Sequence, residues 1–351
     1  MRTEIHRNSL GALLPEWDEL FRADPEATPF SSAGWGSAWW PHWAGTAEPW
    51  IVTVREGGRL VGMAPFVLSR RGPFRVLAEL GRPPSNYWCV LAVPEAREAT
   101  AAAVAAEIRS RSDEWHALLL GGLPQGSEFE GALRDAGLRV RARRPAPSPG
   151  IELPDSFERY LEDLSKKRRK DLRRHLRRLD DGRIELRDVT DPAALSTAID
   201  RWQDIRVRWW EARNKDMNPD HASTRFRDFM RDLVVALVPQ ELAQVWEFRH
   251  EGEVVGIEVN LIDATRYYSW MGAYEPGASH LGLGKVAIAE GIRQSIAAGR
   301  SYYDLMVGDE DYKYSYGATD RFSRWMMVGS GRPVSRATLA VGAVADRVRG
   351  V

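Results

Sequence analysis

Short apolar segments bounded by turn residues recur along the chain. Trp50–Val54 and Leu60–Leu68 are apolar, β-branched runs on either side of Glu56-Gly57-Gly58, and this pattern predicts a β-hairpin. The same arrangement returns in the second half, where Gln244–Phe248 and Val254–Ile262 flank a second Gly-containing turn. Two hairpins of one kind, far apart in the sequence, indicate a repeated structural unit.

Each hairpin is followed by the same series of elements. A strand, an apolar-periodic helix and another strand are predicted after each, at Tyr87–Val93, Ala96–Ile108 and His116–Leu120 and again at Tyr267–Tyr274, Leu281–Ala298 and Ser301–Val307. A crossover helix makes the strands before and after it parallel. The sequence therefore predicts an α+β fold (α/β mixed) with two copies of one domain, each a mixed, mostly antiparallel sheet flanked by helices.

The second copy carries additional elements. A strand is predicted at Ile184–Val189, helices at Pro192–Arg213 and Ser223–Val238, and a last strand at Phe322–Val328. The Pro- and Arg-rich segment Arg141–Gly150 is interpreted as a linker. We therefore expect a first domain over residues 1–150, a second over 151–335 and a C-terminal tail over 336–351.

Composition excludes several classes of protein. The 351 residues include 49 basic and 49 acidic side chains, which argues against a generally basic nucleic-acid-binding protein. The single cysteine, Cys89, cannot form an internal disulfide or a cysteine-rich zinc site. No apolar run reaches the roughly 20 residues of a membrane helix, and no histidine spacing suggests a metal site. A cytoplasmic protein without a metal or an integral membrane segment is expected.

One segment departs from the overall neutrality. Residues 166–178 contain nine basic side chains and one acidic side chain, while leucines between Leu161 and Leu179 fall near one helical face. This pattern predicts a docked helix with a basic outer face. An anionic substrate, RNA or an anionic membrane surface would suit that face, with Arg169 and Arg173 as candidate substrate ligands, and plain solvation of the helix is the alternative.

Three segments resemble a known family. The segment Pro29–Trp40 is similar to the N-terminal signature of FemAB-like and cellulose-biosynthesis-type acetyltransferase-like proteins, which belong to the GNAT superfamily. Leu164–Leu179 resembles the basic helix that opens their second domain, and Tyr302–Gly317 resembles their closing motif. The resemblance spans almost the whole chain and implies tandem GNAT domains with acyltransferase activity.

A glycine-containing loop opens the helix predicted at Leu281–Ala298. Backbone N–H groups and the positive end of a helix dipole suit a phosphate, and glycine permits close approach, although an ordinary turn is the alternative. In GNAT enzymes the corresponding motif holds the pyrophosphate of coenzyme A, but Ser279 stands where that motif has Arg or Gln. The residues that the resemblance implies for acyl-CoA binding are Ser279, His280, Leu281, Gly282, Leu283, Gly284 and Lys285.

Two carboxylates are candidates for a general base. Asp304 lies in a predicted strand that is otherwise apolar or aromatic, where burial would raise its pKa, or where Lys313 or Arg293 would pair with it structurally. Glu258 shares a strand face with Asn260 and could deprotonate an amine, with a solvated face as the alternative.

Candidate groups for charge stabilisation and proton donation follow the strand that carries Asp304. Lys313 could stabilise a tetrahedral oxyanion or bind a substrate anion. Tyr312, Tyr314 or Tyr316 could protonate a departing thiolate, as the resemblance implies, with aromatic packing as the alternative for at least two of them.

Tryptophans also suggest an acceptor site. Trp209 and Trp210 lie at a predicted helix end and could form a stacking platform, whereas Trp35, Trp39 and Trp43 recur at helical spacing and suit core packing. The first domain has acidic residues at the start of its crossover helix, where they would repel phosphate. We therefore expect a degenerate first domain that forms one wall of the substrate cleft.

Three functions are compatible with these patterns. The leading hypothesis is a GNAT-type N-acyltransferase that moves an acyl group, acetyl in the first instance, from acyl-CoA to an amine or hydroxyl of a small-molecule, saccharide or peptide acceptor between the two domains. The second is an aminoacyl transferase that uses aminoacyl-tRNA, although no segment suits the helical arm of such enzymes. The third is a non-catalytic module that binds an anion or polysaccharide.

Overall fold

The chain folds into two compact units. The computed structural model describes residues 1–213 and 219–332. Unit 1 comprises Met1–Ala146 together with the described residues from Phe322 to 332, and unit 2 comprises Pro147–Arg321. The predicted tail, residues 336–351, lies outside the described residues. Among the helices that the structure describes, none combines the length and the apolar character of a membrane span.

Unit 1 is built on a mixed sheet. Its strands are β1 (Arg2–His6), β2 (Glu48–Glu56), β3 (Arg59–Arg71), β4 (Phe74–Glu79), β5 (Leu91–Ala92), β6 (Ala117–Pro124), β7 (Arg139–Ala142) and β14 (Thr319–Gly329). Its helices are α1 (Leu14–Ala23), α2 (Ala33–Trp43), α3 (Arg97–Ser110) and α4 (Glu128–Asp135). The strand order is β1-β2-β3-β4-β6-β14, with β5 beside β3 and β7 beside β14. Only the β4–β6 pair, joined through α3, is parallel among the described pairs of this unit.

Unit 2 repeats this plan with additional helices. Its strands are β8 (Ala146–Glu152), β9 (Glu185–Asp188), β10 (Ala243–His250), β11 (Glu253–Ile262), β12 (Arg266–Tyr274) and β13 (Tyr302–Asp304). Its helices are α5 (Phe157–Asp163), α6 (Lys166–Asp180), α7 (Pro192–Glu211), α8 (Pro219–Ala222), α9 (Thr224–Leu237), α10 (Leu283–Ala297) and α11 (Asp311–Tyr314). The strand order is β8-β13-β12-β11-β10-β9.

The predicted repeat is confirmed. In both units a hairpin leads to a third strand, a crossover helix and a strand parallel to the third, which gives the β4–β6 and β12–β13 pairs. The predicted third strand of unit 1 is wrong in position, because within Tyr87–Val93 only Leu91–Ala92 forms a strand, which pairs with β3. Phe74–Glu79 provides this strand instead, since Gly72 at a φ of 59° allows a tight reversal directly after β3.

The unit boundaries differ from the expected ones. Arg141–Gly150 is not the linker that its composition predicts, because it contributes to two strands, β7 and β8. The last strand, β14, is predicted to belong to the second domain, yet it pairs with β6 and β7 in unit 1. Hydrogen bonding across a sheet, rather than closeness in sequence, therefore decides where this strand lies.

The core of unit 2 surrounds the crossover helix α10. Val286, Ala289 and Ile292 of this helix are fully or almost fully buried against the sheet. Tyr267 of β12 and Tyr303 of β13 stack with their ring centroids 4.9 Å apart. Capping fixes the surrounding helices, because Ser165 accepts a hydrogen bond from the Arg168 N–H and Asp191 accepts one from the Ala194 N–H. These contacts hold α6, α7 and α10 where they line a cavity.

Candidate functional site

A cavity of about 790 Å³ lies within unit 2. Its walls come from one face of α6, the end of α7, the strands β11 and β12, the start of α10 and the segment that contains α11. This volume falls in the range of small-molecule and cofactor sites. The cavity joins a cationic region at the start of α10 to a buried carboxyl group on β11.

The start of α10 is open to the cavity. A 3-10 helical turn, Pro276–Leu281, precedes the helix, and Gly282 at a φ of 61° reverses the chain between them. The cap residue is a glycine and has no side chain to accept a hydrogen bond. The N–H groups of Leu283 and Gly284 also have no carbonyl partner among the described residues. The open turn combines these donors with the positive end of the helix dipole, which is the arrangement that binds phosphate.

Arg178 fixes the geometry of this turn. Its guanidinium donates a hydrogen bond to the carbonyl oxygen of Leu281. Glycine is favoured at position 282 by its positive φ, and a Cβ atom there would lie 3.0 Å from Nη1 of Arg178, so that a larger residue would also shift this guanidinium by a few tenths of an ångström. The basic helix α6 therefore contacts the start of α10 directly.

The cationic region is lined by side chains from both helices. Arg168, Arg174 and His175 of α6 line the cavity opposite Lys285 of α10. Arg174 also pairs with Asp171, at 3.1 Å between Nη2 and Oδ1. Burial and the charges of Arg178, Arg174 and Lys285 lower the pKa of His175 to about 4, so this imidazole is neutral near pH 7.

Glu258 is the buried carboxyl group of the cavity. It lies on β11 opposite Gly272 of β12, and its side chain accepts a hydrogen bond from the Tyr274 hydroxyl. Desolvation raises the pKa of Glu258 to about 8, and a hydrogen bond with Asn260 lowers it in part. Glu258 is only 5% exposed although it lines the cavity. A carboxyl group in this setting can exchange a proton near neutral pH.

A β-bulge interrupts β12 beside Glu258. The register between β11 and β12 shifts between Val259 and Leu261, so that Asn260 faces an extra residue. Oδ1 of Asn260 accepts a hydrogen bond from the backbone N–H of Trp270, at 3.3 Å. Ser269 and Trp270 of this bulge line the cavity. Bulges of this kind often re-aim side chains at functional sites.

Asp304 and Lys313 are not brought to the cavity. Asp304 ends β13, where its Oδ1 accepts a hydrogen bond from the Met306 N–H at 2.6 Å. The Lys313 side chain is 3% exposed, and its ammonium donates to the carbonyl oxygens of Met306, Val307 and Gly308 at 3.0–3.1 Å. These hydrogen bonds, together with an ion pair of 2.8 Å between Nζ of Lys313 and Oε2 of Glu310, hold the ammonium in the turn after β13. The expected oxyanion role of Lys313 does not fit this geometry.

The tyrosines after β13 divide between the cavity and the surface. Tyr312 and Tyr316 line the cavity. Tyr314 instead donates a hydrogen bond from its hydroxyl to Asp320, at 2.8 Å on the exposed side. Burial and the neighbouring carboxyl groups of Glu310 and Glu258 raise the pKa of Tyr312, which keeps its hydroxyl protonated near neutral pH.

Only part of the predicted ligand set reaches the cavity. Ser279, Gly282, Leu283, Gly284 and Lys285 line it, whereas Leu281 is buried in the core. The His280 ring lies outside the lining, with its centroid 6.3 Å from that of His250.

The predicted acceptor ligands divide in the same way. Trp209 lines the cavity and Trp210 does not. The Arg213 guanidinium lies 3.4 Å above the ring centroid of Trp209 and occupies one of its faces. Arg169 and Arg173, the predicted substrate ligands on α6, do not line the cavity. Their neighbours Arg168 and Arg174 line it instead. The helical phase is fixed by Leu172 and Leu176, which pack into the core.

Sequence reasoning missed Tyr274 and His175. Tyr274 ends a strand whose residues have no predicted role beyond the sheet, and its contact with Glu258 depends on the register of β11 and β12. His175 lies among the basic residues of α6, but it is buried with Leu172 and Leu176. A signal for His175 exists in the sequence, since its spacing of three residues from Leu172 and four from Leu179 predicts the same helix side.

Comparison with known proteins agrees with the fold. Residues 166–314 match the family model described as an acetyltransferase (GNAT) domain. The comparison with curated protein sequences found no match.

Solved structures give the most extensive similarity. A crystal structure of FemX has a TM-score of 0.68 at 10% identity, covering 93% of this chain and 97% of that one. The C-terminal domain (DUF2156) of a putative lysylphosphatidylglycerol synthetase from Agrobacterium fabrum has a TM-score of 0.59 at 11% identity, covering 96% and 97%. A tandem GNAT protein from the clavulanic acid biosynthesis pathway has a TM-score of 0.51 at 13% identity, covering 94% and 99%. The chain therefore has a tandem-domain fold similar to that of FemX and of the tandem GNAT protein, which confirms the predicted fold.

Proposed function

We propose that unit 2 is the catalytic unit of an acyltransferase, and that its donor is an acyl-CoA. One observation carries this proposal: a single cavity holds both an open helix N-terminus among cations and a buried, protonatable carboxyl group, Glu258. The first feature suits the phosphates of the donor, and the second suits deprotonation of the acceptor. The GNAT acyltransferase-like fold supports the same reaction class.

The donor would enter with its pyrophosphate at the start of α10. The N–H groups of Leu283 and Gly284 would donate to phosphate oxygens, and Arg174 and Lys285 would offset the charge. Lys285 would provide the positive charge that is missing because Ser279 stands at the Arg or Gln position of the GNAT motif. The acyl thioester would then lie towards β11 and β12, beside Glu258.

The acceptor is an amine or hydroxyl of a small molecule, a saccharide or a peptide. Glu258, in its ionised form, takes a proton from the acceptor nitrogen or oxygen, which attacks the thioester carbonyl carbon. The new bond to that carbon forms as the carbon–sulfur bond breaks, and the thiolate of coenzyme A leaves. The Tyr312 hydroxyl protonates that thiolate, and the proton that Glu258 took from the acceptor returns through water to Tyr312, which restores both groups.

Calorimetry with acetyl-CoA tests the donor assignment. We expect saturable binding, followed by release of free thiol when a panel of amines and hydroxyl compounds is supplied. Glu258→Gln should bind the donor and lose turnover by two to four orders of magnitude, roughly the range for a general base. Glu253→Gln is the matched control, because Glu253 is exposed on the same strand. The absence of acyl-CoA binding at millimolar concentration would refute the donor.

A second candidate donor, an aminoacyl-tRNA, is favoured by the outer face of α6. Lys166, Lys170, Arg173 and Arg177 are exposed, point away from the buried leucines and form no salt bridge within the parts of the chain that the structure describes. They extend over about 16 Å at 1.5 Å per residue. Such a row suits a phosphodiester backbone.

Salt-dependent tRNA binding separates the two donors. If the row neutralises phosphates, replacing its four residues with Gln should reduce the slope of log affinity against log salt by about 0.9 for each phosphate that is no longer neutralised. Acetyl-CoA binding should be unaffected by the same four substitutions. An unchanged slope would remove the second candidate.

A further inference from the structure

His175 combines burial with access to the cavity. It is 6% exposed, and its Nδ1 atom is sealed from solvent with no hydrogen-bond partner in the described chain. A Cβ atom added to Gly282 would lie 3.9 Å from Cε1 and 4.0 Å from Nδ1 of this ring. The imidazole therefore lies against the turn that opens α10, and the ring also lines the cavity.

The two ring nitrogens of His175 are not equivalent. Nδ1 is sealed without a partner, whereas Nε2 is not among the sealed atoms. A neutral imidazole carries one N–H and one acceptor nitrogen. A buried donor without a partner is costly and rare, so the proton belongs on Nε2. His175 then keeps its unprotonated nitrogen against the protein and carries its N–H on Nε2, the nitrogen that is not sealed, in a ring that lines the cavity.

The charged neighbours of His175 keep it neutral. Arg174 and Arg178 lie on the same helix, Lys285 faces it from α10, and Asp171 provides the one opposing charge. Burial and these cations hold the pKa of the ring at about 4. A second positive charge at this point is therefore disfavoured, and the ring contributes a directed hydrogen bond rather than a charge.

We propose that His175 donates a hydrogen bond from Nε2 to a phosphate oxygen of the bound donor, beside the N–H groups that open α10. This inference rests on the proposed function for the identity of the donor, but the site itself requires only a phosphate or pyrophosphate group. The surrounding arginines and Lys285 supply charge from flexible side chains. The imidazole is rigid, so its N–H points in one fixed direction. The site therefore favours a tetrahedral oxyanion with an oxygen atom at that position.

Variants at position 175 separate a donor role from simple packing. Gln can present its amide N–H where the imidazole presents Nε2–H, whereas Phe fills similar space without a donor. We expect His175→Phe to weaken binding of coenzyme A and 3′-dephospho-coenzyme A by about 10- to 100-fold, the cost of a hydrogen bond to a charged group. His175→Gln should stay within about threefold of the wild type, and pantetheine, which lacks phosphate, should bind all forms equally. His280→Gln is the matched control from the adjacent turn, because its ring lies outside the cavity.

The pH dependence and a probe without coenzyme A complete the test. Between about pH 6 and pH 8 the ratio of wild-type to His175→Phe affinity should be constant, whereas a histidine of ordinary pKa, bound as a cation, would lose its contribution over this range. Inorganic pyrophosphate, followed through the ¹⁵N resonance of His175 Nε2, should shift that resonance in the wild type and in His280→Gln.

The outcomes distinguish the two proposals. If pyrophosphate leaves the Nε2 resonance unchanged, or if His175→Phe weakens coenzyme A and pantetheine equally, the role of His175 is refuted. If pyrophosphate shifts the resonance but no acyl-CoA binds, the proposed donor is refuted and the phosphate site stands.

Discussion

Replacing Glu258 with Gln should stabilise unit 2 while it removes the proposed base. The folded-state pKa of Glu258 is about 8, against an ordinary value of 4.5. A pKa that is raised on folding gives stability that is complete below pH 4.5 and is lost as the pH rises towards 8. Each pH unit in this interval lowers the free energy of unfolding by about 1.4 kcal/mol, so at pH 7 the wild type is less stable by about 3 kcal/mol than at pH 4.5. Gln cannot ionise and avoids this loss.

Native-state hydrogen exchange of β11 and β12 measures this effect within unit 2. The free energy of opening of Glu258→Gln should equal that of the wild type near pH 4 and exceed it by about 3 kcal/mol at pH 7. Comparison at equal pH cancels the intrinsic exchange rates. Glu253→Gln should show no such difference, since Glu253 is exposed. A difference between wild type and Glu258→Gln that does not change with pH would show that Glu258 is not desolvated, and the reasoning would fail.

Further predictions concern the proton-transfer groups and the turn after β13. The kcat/KM of the wild type should rise with pH and level off above about pH 8, as Glu258 ionises; a pH–rate profile measures this. Tyr274→Phe removes a donor to the Glu258 carboxylate, so the midpoint of that profile should move to higher pH, and a shift to lower pH would contradict the assignment. Lys313→Met should lower the thermal midpoint of unfolding, because one buried and two half-buried carbonyl oxygens lose their donor, at about 3 kcal/mol in total. Glu310→Gln, which removes only the exposed partner, should cost less than about 1 kcal/mol.

The repeated fold is predictable because its signals are local. The hairpins, the crossover helices and the caps at Asp191 and Ser223 depend on residues a few positions apart, and the structure contains them. The position of β4 escapes prediction, since its polar residues interrupt the apolar pattern. The partners of β14 escape it because a strand at the end of the chain can pair with any free sheet edge.

The site is predictable in its location but only partly in its residues. The glycine turn and Glu258 come together as parts of one cavity, because β11, β12 and α10 are consecutive elements of the repeat. The predicted roles of Asp304 and Lys313 fail, since their environment depends on where β13 ends. Three carbonyl oxygens converge on the Lys313 ammonium only because Met306 and Gly308 adopt positive φ angles of 65° and 124°. Gly308 is a turn signal in the sequence, but no residue type there predicts the positive φ of Met306.

The chain leaves unit 1 after β7 and returns to it only with β14. Unit 2 is therefore an insertion, and a ribosome must synthesise all of unit 2 before unit 1 can add its last strand. Until then the free edges of β6 and β7 have no β14 to pair with, and they can associate with other chains. Unit 2 is continuous in sequence and can complete its sheet first. Folding from the middle of the chain outwards is the consequence, and a fragment ending before Thr319 should aggregate through unit 1.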